Sequence, residues 1–324
     1  MKTIDWLELI WISKEKRVFI LVDEFFKGHP VLNDLHSEHV FFCSALNAKS
    51  LSTVEKVWSS LLENHFTKHD FLIGVGGGSI TDLTTFVAAT YKRGIPHILV
   101  PTTLLAATDA AIGGKGGIDF GNSKNAVGAI KEPQFLVVQP HFFQTLTQEE
   151  LEYGWAEVVK HALIGSTELY NEISLNRFQD VDYLVSKSIE FKKGIVEKDL
   201  MEQNWRKILN FGHTLGHALE SFQNELKQPF SHGKCVVLGM LKEMEIMEKL
   251  GSLSSSEKTE LTQWIKQIFP LEEINSIPWI QVLPYLKNDK KNEGNLIGFV
   301  EFCGVGKVNP EMKLSLQTVQ TLLS

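Results

Sequence analysis

The feature that most constrains the fold is a regular alternation of short β-rich runs with helical patterns over residues 18–140. Each run is apolar and four or five residues long. Such alternation predicts a mostly parallel sheet with helices on its faces. The predicted strands cover residues 18–22, 40–43, 71–75, 97–100 and 135–138.

After about Pro140 the pattern changes to long stretches with a period of 3.6 residues, which predicts helices. We therefore predict an α/β, Rossmann-like N-terminal domain over residues 1–145 and a mainly α-helical C-terminal domain over residues 146–324. A β-like segment at residues 296–301 is expected to pair with another strand. The predicted helices cover residues 149–164, 179–203, 206–222, 233–250 and 255–268.

Composition limits the classes of partner. The chain has 324 residues, 43% of them hydrophobic, and its net charge of −7 argues against broad affinity for nucleic acid. No uncharged apolar segment approaches the roughly 18 residues that a membrane span requires. We therefore expect a cytoplasmic protein that binds neither nucleic acid nor a membrane.

Three consecutive glycines, Gly76, Gly77 and Gly78, connect the predicted strand at residues 71–75 to a helix. Main-chain N–H groups of such a turn can approach a bound phosphate closely, and the helix start adds further donors. The turn departs from the usual dinucleotide fingerprint, because Ser79 replaces its third small residue and no acidic residue follows about 20 positions later. Asp82 is either a helix cap or a cofactor contact.

Two threonines follow the predicted strand at residues 97–100. Ligands of open α/β sheets bind at the carboxyl ends of the strands, so Thr102 and Thr103 are candidate ligand contacts. The start of a helix at this Pro-Thr-Thr sequence is the alternative.

The stretch from Arg206 to His217 is predicted to form one helix with a narrow polar stripe. At about 100° per residue, its polar side chains fall within a sector of roughly 60°, and apolar side chains cover much of the remainder. An ordinary surface helix has a broad polar face, so this stripe predicts a buried helix that faces a site. The stripe consists of Arg206, Asn210, His213 and His217.

The same helix offers metal ligands. His213 and His217 are four residues apart, a spacing at which two imidazoles can reach one Zn²⁺. A third nitrogen can come from His232 and an oxygen from Glu157. For Glu157, an intrahelical ion pair with Lys160 is the alternative.

Residues 109–125 combine charge with glycine, which favours a loop over a helix. Asp109 precedes a run in which glycines flank Lys115, and Lys124 and Asn125 end the segment. Lysines on glycine-rich loops can contact anions. Ordinary solvated lysines are the alternative.

From Val18 to about Val308 the chain resembles the 3-dehydroquinate synthase family of sugar-phosphate cyclases. The matching segments are residues 76–82, Arg93-Gly94, residues 101–105, Asp109 with Gly113-Gly114-Lys115, Lys124-Asn125, Ala156-Glu157 with Lys160, Lys192 with Asp199, Arg206 with residues 209–217, His232-Gly233 and Asp289-Lys290-Lys291.

The resemblance implies that Glu157, His213 and His232 hold a catalytic Zn²⁺ or Co²⁺, while His217 turns toward the substrate phosphate. It implies that Arg93 reaches into a neighbouring subunit's site, which would make a homodimer functional. The implied substrate contacts are Asp109, Lys115, Asn125, Lys160, Lys192, Arg206, Asn210 and one of Lys290 and Lys291. The implied NAD contacts are Asp23, Gly76, Gly77, Gly78, Asp82, Thr102, Thr103, Lys115, Lys124 and Thr145.

The implied reaction converts 3-deoxy-arabino-heptulosonate 7-phosphate to 3-dehydroquinate and phosphate in the shikimate pathway, with NAD used catalytically. We assign the carboxylate end of this substrate to Lys192, Arg206 and Asn210. The alternatives are a sibling sugar-phosphate cyclase, a metal-dependent polyol dehydrogenase of the same architecture and a catalytically inactive regulator.

Two positions depart from the family pattern. Ala45-Leu46 stands where the family commonly has Gly-Glu, which removes an expected ribose contact. Lys234 replaces an acidic residue two positions after His232 and adds positive charge there.

Overall fold

The computed structural model describes residues 1–121, 123–271, 276–288 and 296–323. Its contacts divide the chain into two compact units, Met1–Thr147 and Gln148–Ser324. The assignment of NAD binding to residues 1–145 and of metal and substrate binding to residues 146–324 remains a prediction.

The first unit contains a six-stranded parallel sheet with the strand order β1-β8-β5-β4-β2-β3. All five predicted strands are confirmed within one residue at each end, and β1 adds a sixth. The strands are β1 (Lys2–Ile4), β2 (Val18–Asp23), β3 (Val40–Cys43), β4 (Phe71–Gly76), β5 (His97–Pro101) and β8 (Phe135–Val137). The helices are α1 (Trp6–Glu15), α2 (Ala45–Ala48), α3 (Leu51–Glu63) and α4 (Gly78–Thr90).

The central strands are buried on both faces, which explains why they read as continuous apolar runs rather than alternating ones. In β2, Phe19 and Leu21 join the core cluster that contains α3 and α4 side chains. Ile20 and Val22 point the other way, into the cluster that contains residues of α1. The sheet therefore separates two apolar layers.

The order of the strands defines a switch point beside β2. The chain runs from β2 to β3 on one side and then to β4 on the other side of β2. At such a point the connections diverge and leave a crevice at the carboxyl ends of the strands, where α/β proteins bind ligands. Asp23 ends β2 and Gly76 ends β4, so both lie at this edge.

The prediction of a loop over residues 109–125 is wrong for most of that segment. A five-residue helical turn, Ala106–Ala110, precedes an antiparallel hairpin of β6 (Lys115–Phe120) and β7 (Ser123–Ile130). The glycines serve close packing: a Cβ at Gly116 would lie 2.6 Å from the main-chain nitrogen of Phe86 in α4. Gly116 therefore reflects the contact with α4, whereas Gly113 and Gly114, with φ values of +101° and +65°, belong to the turn before the hairpin.

The second unit is mainly helical, as predicted. Residues 149–164 form two helices separated at Trp155, and the β-like segment pairs antiparallel with a strand that follows it. The helices are α5 (Gln148–Gly154), α6 (Ala156–Ile164), α7 (Thr167–Asn176), α8 (Val181–Lys198), α9 (His213–Glu225), α10 (His232–Lys249), α11 (Ser255–Ile268), α12 (Trp279–Val282) and α13 (Leu316–Leu323), and the strands are β9 (Leu296–Phe302) and β10 (Val308–Ser315).

The single helix predicted for residues 206–217 is wrong. Trp205–Asn210 forms a short 3-10 helix, Gly212 adopts a left-handed conformation with φ +77°, and α9 begins at His213. A Cβ at Gly212 would lie 2.3 Å from Cγ of Met240 and 2.8 Å from the carbonyl oxygen of Val236. The chain therefore breaks where its backbone meets α10, and the four polar side chains do not share one helical stripe.

Replacement of this glycine tests whether that contact shapes the unit. We expect Gly212→Ala to lower the free energy of unfolding by about 3 kcal/mol or more, because it combines left-handed strain with a clash against α10. Gly251 is the matched control, since its φ is +80° and a Cβ added there would have no neighbouring atom within 4 Å. Gly251→Ala should cost only about 1–2 kcal/mol. Equal losses in urea denaturation would contradict this account of the break.

Candidate metal centre and cofactor edge

The close approach of α9 and α10 brings three histidines together. A Cβ at Gly239 would lie 2.0 Å from the carbonyl oxygen of Gly212, so the two helices can approach this closely only with glycine there. His213 is the first residue of α9 and His232 the first of α10, while His217 lies one turn into α9. Glycine at the helix contact thus permits the close approach that brings the imidazoles at the starts of α9 and α10 near each other.

The three imidazoles form a compact cluster. One ligand nitrogen from each of His213, His217 and His232 lies within 4.8 Å of the others. Nε2 of His213 is also 3.5 Å from Oε1 of Glu157 on α6, a helix that packs against α10. The structure therefore brings the three predicted histidines together and places Glu157, the fourth predicted ligand, beside one of them, His213.

Hydrogen bonds turn two of the rings toward this cluster. Nδ1 of His213 lies 3.2 Å from the carbonyl oxygen of Phe211, which can only accept, so Nδ1 carries the proton. Nδ1 of His232 likewise lies 3.2 Å from Oε2 of Glu220. Each contact leaves Nε2 with a lone pair for a metal, the arrangement usual for metal-binding histidine.

The donor set fits a divalent transition metal. Zinc binds imidazole nitrogen and carboxylate oxygen at about 2.0–2.2 Å in tetrahedral geometry, which places adjacent ligand atoms about 3.3 Å apart. The 3.5 Å between His213 Nε2 and Glu157 Oε1 is close to that spacing. The assignment of Glu157, His213 and His232 as ligands, with His217 on the substrate, remains a prediction.

Glu157 also forms the alternative contact, an ion pair with Lys160 one helical turn later. Both side chains are buried. Taking two charges out of water is costly, so a buried pair contributes less to stability than its short contact implies. The ion pair is confirmed, and the same carboxylate lies beside His213.

Charged groups are buried only in the second unit, as far as the described residues show. These side chains belong to Glu157, Lys160, Lys192, Arg206 and Glu243. The three cations lie on α6, α8 and the turn Trp205–Asn210, which contact one another. The predicted carboxylate-binding residues Lys192 and Arg206 therefore lie on neighbouring elements.

Local hydrogen bonds hold the turn that carries Arg206. The Asp199 carboxylate accepts main-chain N–H groups of Gln203, Asn204 and Arg206, and these bonds, Gln203 foremost, lower the pKa of Asp199. Asn210 donates to Oε1 of Glu202 at 2.7 Å. Glu202 was not predicted from the sequence, because an acidic residue in a polar connection carries no distinguishing pattern.

Several of the predicted NAD contacts of the first unit share one edge of the six-stranded sheet. Gly76, Gly77 and Gly78 follow β4, and Thr102 and Thr103 follow the adjacent strand β5. A Cβ at Gly77 would lie 3.2 Å from Cγ2 of Thr103. Oγ1 of Thr103 accepts the N–H of Ala106, so this threonine does cap the following turn, as the alternative interpretation proposed.

Asp82 is not a helix cap. Gly77 occupies the N-cap of α4, and Asp82 instead contacts the Lys49 ammonium group, which also contacts Asn125. Burial raises the pKa of Asp82, and the Lys49 charge opposes that shift. Lys49 was not predicted as a contact from the sequence, because nothing local distinguishes a lysine at the end of a short helix.

The other predicted contacts occupy varied positions. Lys115, Lys124, Asn125 and Arg93 are exposed, and Asp109 is half-buried at the end of its helical turn. Arg93 has a left-handed φ of +64°. Oγ1 of Thr145 donates to the carbonyl oxygen of Phe142. Lys290 and Lys291 lie outside the described residues.

The structure shows the surroundings of Leu46 and Lys234, the two residues that depart from the family pattern. Leu46 is 95% exposed on α2 and therefore takes no part in the core. The Lys234 ammonium lies 4.4 Å from the ring centroid of Phe230 and 5.8 Å from that of Tyr153. These cation–π contacts hold the added charge against aromatic faces.

Comparison with known proteins identifies the family. Residues 40–153 match the 3-dehydroquinate synthase N-terminal family and residues 154–292 match the 3-dehydroquinate synthase C-terminal family. A 3-dehydroquinate synthase of Parabacteroides distasonis is 33% identical over 317 residues, which cover 94% of this chain and 90% of the relative. One of Pyrococcus furiosus is 40% identical over 281 residues, covering 84% and 81%. The chain belongs to the 3-dehydroquinate synthase family.

A solved structure shares the fold. It is a 2-deoxy-scyllo-inosose synthase complexed with carbaglucose-6-phosphate, NAD⁺ and Co²⁺, with a TM-score of 0.83 and 21% identity, covering 96% of this chain and 91% of the other. This likeness confirms the predicted fold class. Within the described residues, no helix combines the length and apolar character needed to cross a membrane.

The contact between Glu220 and His232 generates a prediction. Removing the acceptor charge with Glu220→Gln should weaken Co²⁺ binding by about 10- to 100-fold, because the imidazole loses the charged acceptor that orients it and keeps at most a neutral amide oxygen. Glu225→Gln on the same helix is the control, since Glu225 accepts from the Tyr285 hydroxyl. Calorimetric titration measures both. An unchanged affinity in Glu220→Gln would show that this hydrogen bond does not support the metal.

Proposed function

We propose that the chain catalyses the conversion of 3-deoxy-arabino-heptulosonate 7-phosphate to 3-dehydroquinate and phosphate, as a lyase of the shikimate pathway that uses NAD catalytically with Zn²⁺ or Co²⁺. Membership of the 3-dehydroquinate synthase family supports the reaction. The related fold solved with NAD⁺ and Co²⁺ supports the cofactors. Arg93 and a functional homodimer remain predictions that follow from the family resemblance.

The observation that carries the proposal is the set of buried cations in the second unit. Lys160, Lys192 and Arg206 are each at most 5% exposed, although the chain as a whole is acidic. Lys160 is paired with Glu157, and Arg206 donates to the carbonyl oxygen of Leu200 at 2.7 Å. Three cationic side chains on neighbouring elements nevertheless concentrate positive charge, which suits a substrate with a carboxylate and a phosphate better than a neutral polyol.

Each unit has a suitable environment for one cofactor. The glycine turn and the carboxyl ends of β2, β4 and β5 fit a dinucleotide, and the cluster of Glu157 with three histidines fits a divalent metal. When bound, NAD supplies reversible hydride transfer and the metal supplies Lewis-acid polarisation of a hydroxyl. The exposed Leu46 leaves NAD without one ribose contact that the family commonly has.

The chain's own residues bind and orient the substrate in this proposal. Lys192, Arg206 and Asn210 bind its carboxylate, because a guanidinium group offers two parallel donors to that anion. Lys115, Asn125 and His217 bind the phosphate. Since Glu202 already accepts from the Asn210 amide, that side chain is held in place before substrate arrives.

Phosphate release tests the reaction directly. Purified protein with the heptulosonate phosphate, substoichiometric NAD⁺ and Co²⁺ or Zn²⁺ should release phosphate over many turnovers without accumulating NADH. Stoichiometric NADH would identify a polyol dehydrogenase instead. Phosphate release from glucose 6-phosphate or sedoheptulose 7-phosphate, but not from the heptulosonate phosphate, would identify a sibling cyclase.

Arg206 tests the substrate assignment. Arg206→Ala should lower kcat/KM by about 100-fold or more, since charge-assisted hydrogen bonds contribute about 1.5–3 kcal/mol each. Arg17→Ala is the control, because Arg17 donates to the carbonyl oxygens of Asn64 and His65 in the first unit. This control should retain its kcat/KM even where it loses stability. Unchanged activity in Arg206→Ala would reject the assignment.

A further inference from the structure

Glu243 is a buried carboxylate that the proposed reaction does not use. It lies on α10 with no exposed surface. Its Oε2 accepts the main-chain N–H of Gly212 at 2.8 Å, and its Oε1 accepts the N–H of Leu215 at 3.1 Å. Both donors belong to the start of α9, on either side of His213.

The start of α9 has no cap of its own. The first N–H groups of a helix have no partner within that helix, and they carry partial positive charge. A side-chain oxygen at the N-cap usually accepts one of them, but the N-cap here is Gly212, which has no side chain. A carboxylate from the neighbouring helix therefore takes the place of the missing cap.

The position of Glu243 connects this cap to the metal cluster. Glu243 follows His232 by eleven residues on α10, so the two side chains lie within about 20° of each other on one face of that helix. The same face meets α9, where His213 lies between the two N–H groups that Glu243 accepts. One side chain thus fixes the start of α9 to the helix that carries His232.

We propose that Glu243 is a positioning residue of the metal centre: its carboxylate holds the first turn of α9 against α10 and so sets the distance between His213 and His232. This inference rests on the proposed function, because it requires a metal at these histidines. Glu243 does not touch the metal or the substrate. It acts through the backbone on both sides of His213.

Substitution of Glu243 distinguishes a role in positioning His213 for the metal from a role in the stability of the fold alone. Glu243→Gln keeps the size of the side chain, but it removes the charge and one of the two acceptor oxygens. We expect Co²⁺ binding to weaken tenfold or more and the visible absorption of bound Co²⁺ to change, because the imidazole of His213 is displaced. Glu248→Gln is the matched control on α10, since Glu248 forms an ion pair with Lys258 at 3.0 Å. The control should bind Co²⁺ with wild-type affinity and spectrum.

The outcomes distinguish the hypotheses. A Glu243→Gln protein that loses thermal stability but keeps wild-type Co²⁺ affinity and spectrum would overturn the positioning role and leave the proposed function intact. If that variant does not fold, Glu243→Asp tests the positioning role instead. Aspartate keeps the negative charge, but its side chain is one methylene shorter and therefore holds the start of α9 at a different distance. Weaker Co²⁺ binding by the aspartate variant supports the role, and wild-type binding overturns it. Failure of the wild-type protein to bind Co²⁺ would reject the metal centre itself.

Discussion

The candidate metal centre depends on the distance between the backbones of α9 and α10. At Gly239 and Gly212 the two helices approach so closely that a single added carbon at Gly239 would lie 2.0 Å from a main-chain oxygen. This contact places the first residues of both helices, His213 and His232, in one cluster. Glycine here is a requirement of packing, and the chemistry of the imidazoles follows from it.

Buried charge distinguishes the two units. The first unit presents main-chain groups and small side chains at the carboxyl edge of a parallel sheet, an environment suited to a dinucleotide. The second unit buries lysine, arginine and glutamate side chains around helices that also carry imidazoles. An acidic chain can therefore bind a substrate with two anionic groups, because local charge and not net charge determines that affinity.

Sequence periodicity predicted the sheet well because β2 and β4 are buried on both faces and read as uninterrupted apolar runs. It failed between Arg206 and His217, where a helical period continues through a break at Gly212. A tertiary contact with Met240 and Val236 determines that break, and such a contact leaves no trace in local periodicity. Gly116, directly after Lys115, misled in the same way, since it is required by the contact with α4 and not by a loop.

In the site, too, residues within a recognisable sequence motif were predicted, and residues that matter only through tertiary contacts were not. Residues carried by the family resemblance, such as Glu157 and His232, both lie beside His213 although 75 positions separate them in the chain. Lys49, Glu202 and Glu243 had no comparable signal. Each is an ordinary charged residue in sequence, and its importance comes only from the atoms that folding places beside it.

The most direct test of this account is the position of the metal in a crystal of the Co²⁺-loaded protein, located by anomalous diffraction. We expect one ion about 2.0–2.2 Å from a carboxylate oxygen of Glu157 and from Nε2 of both His213 and His232. An ion bound elsewhere, or one that contacts the histidines while Glu157 remains paired only with Lys160, would contradict it.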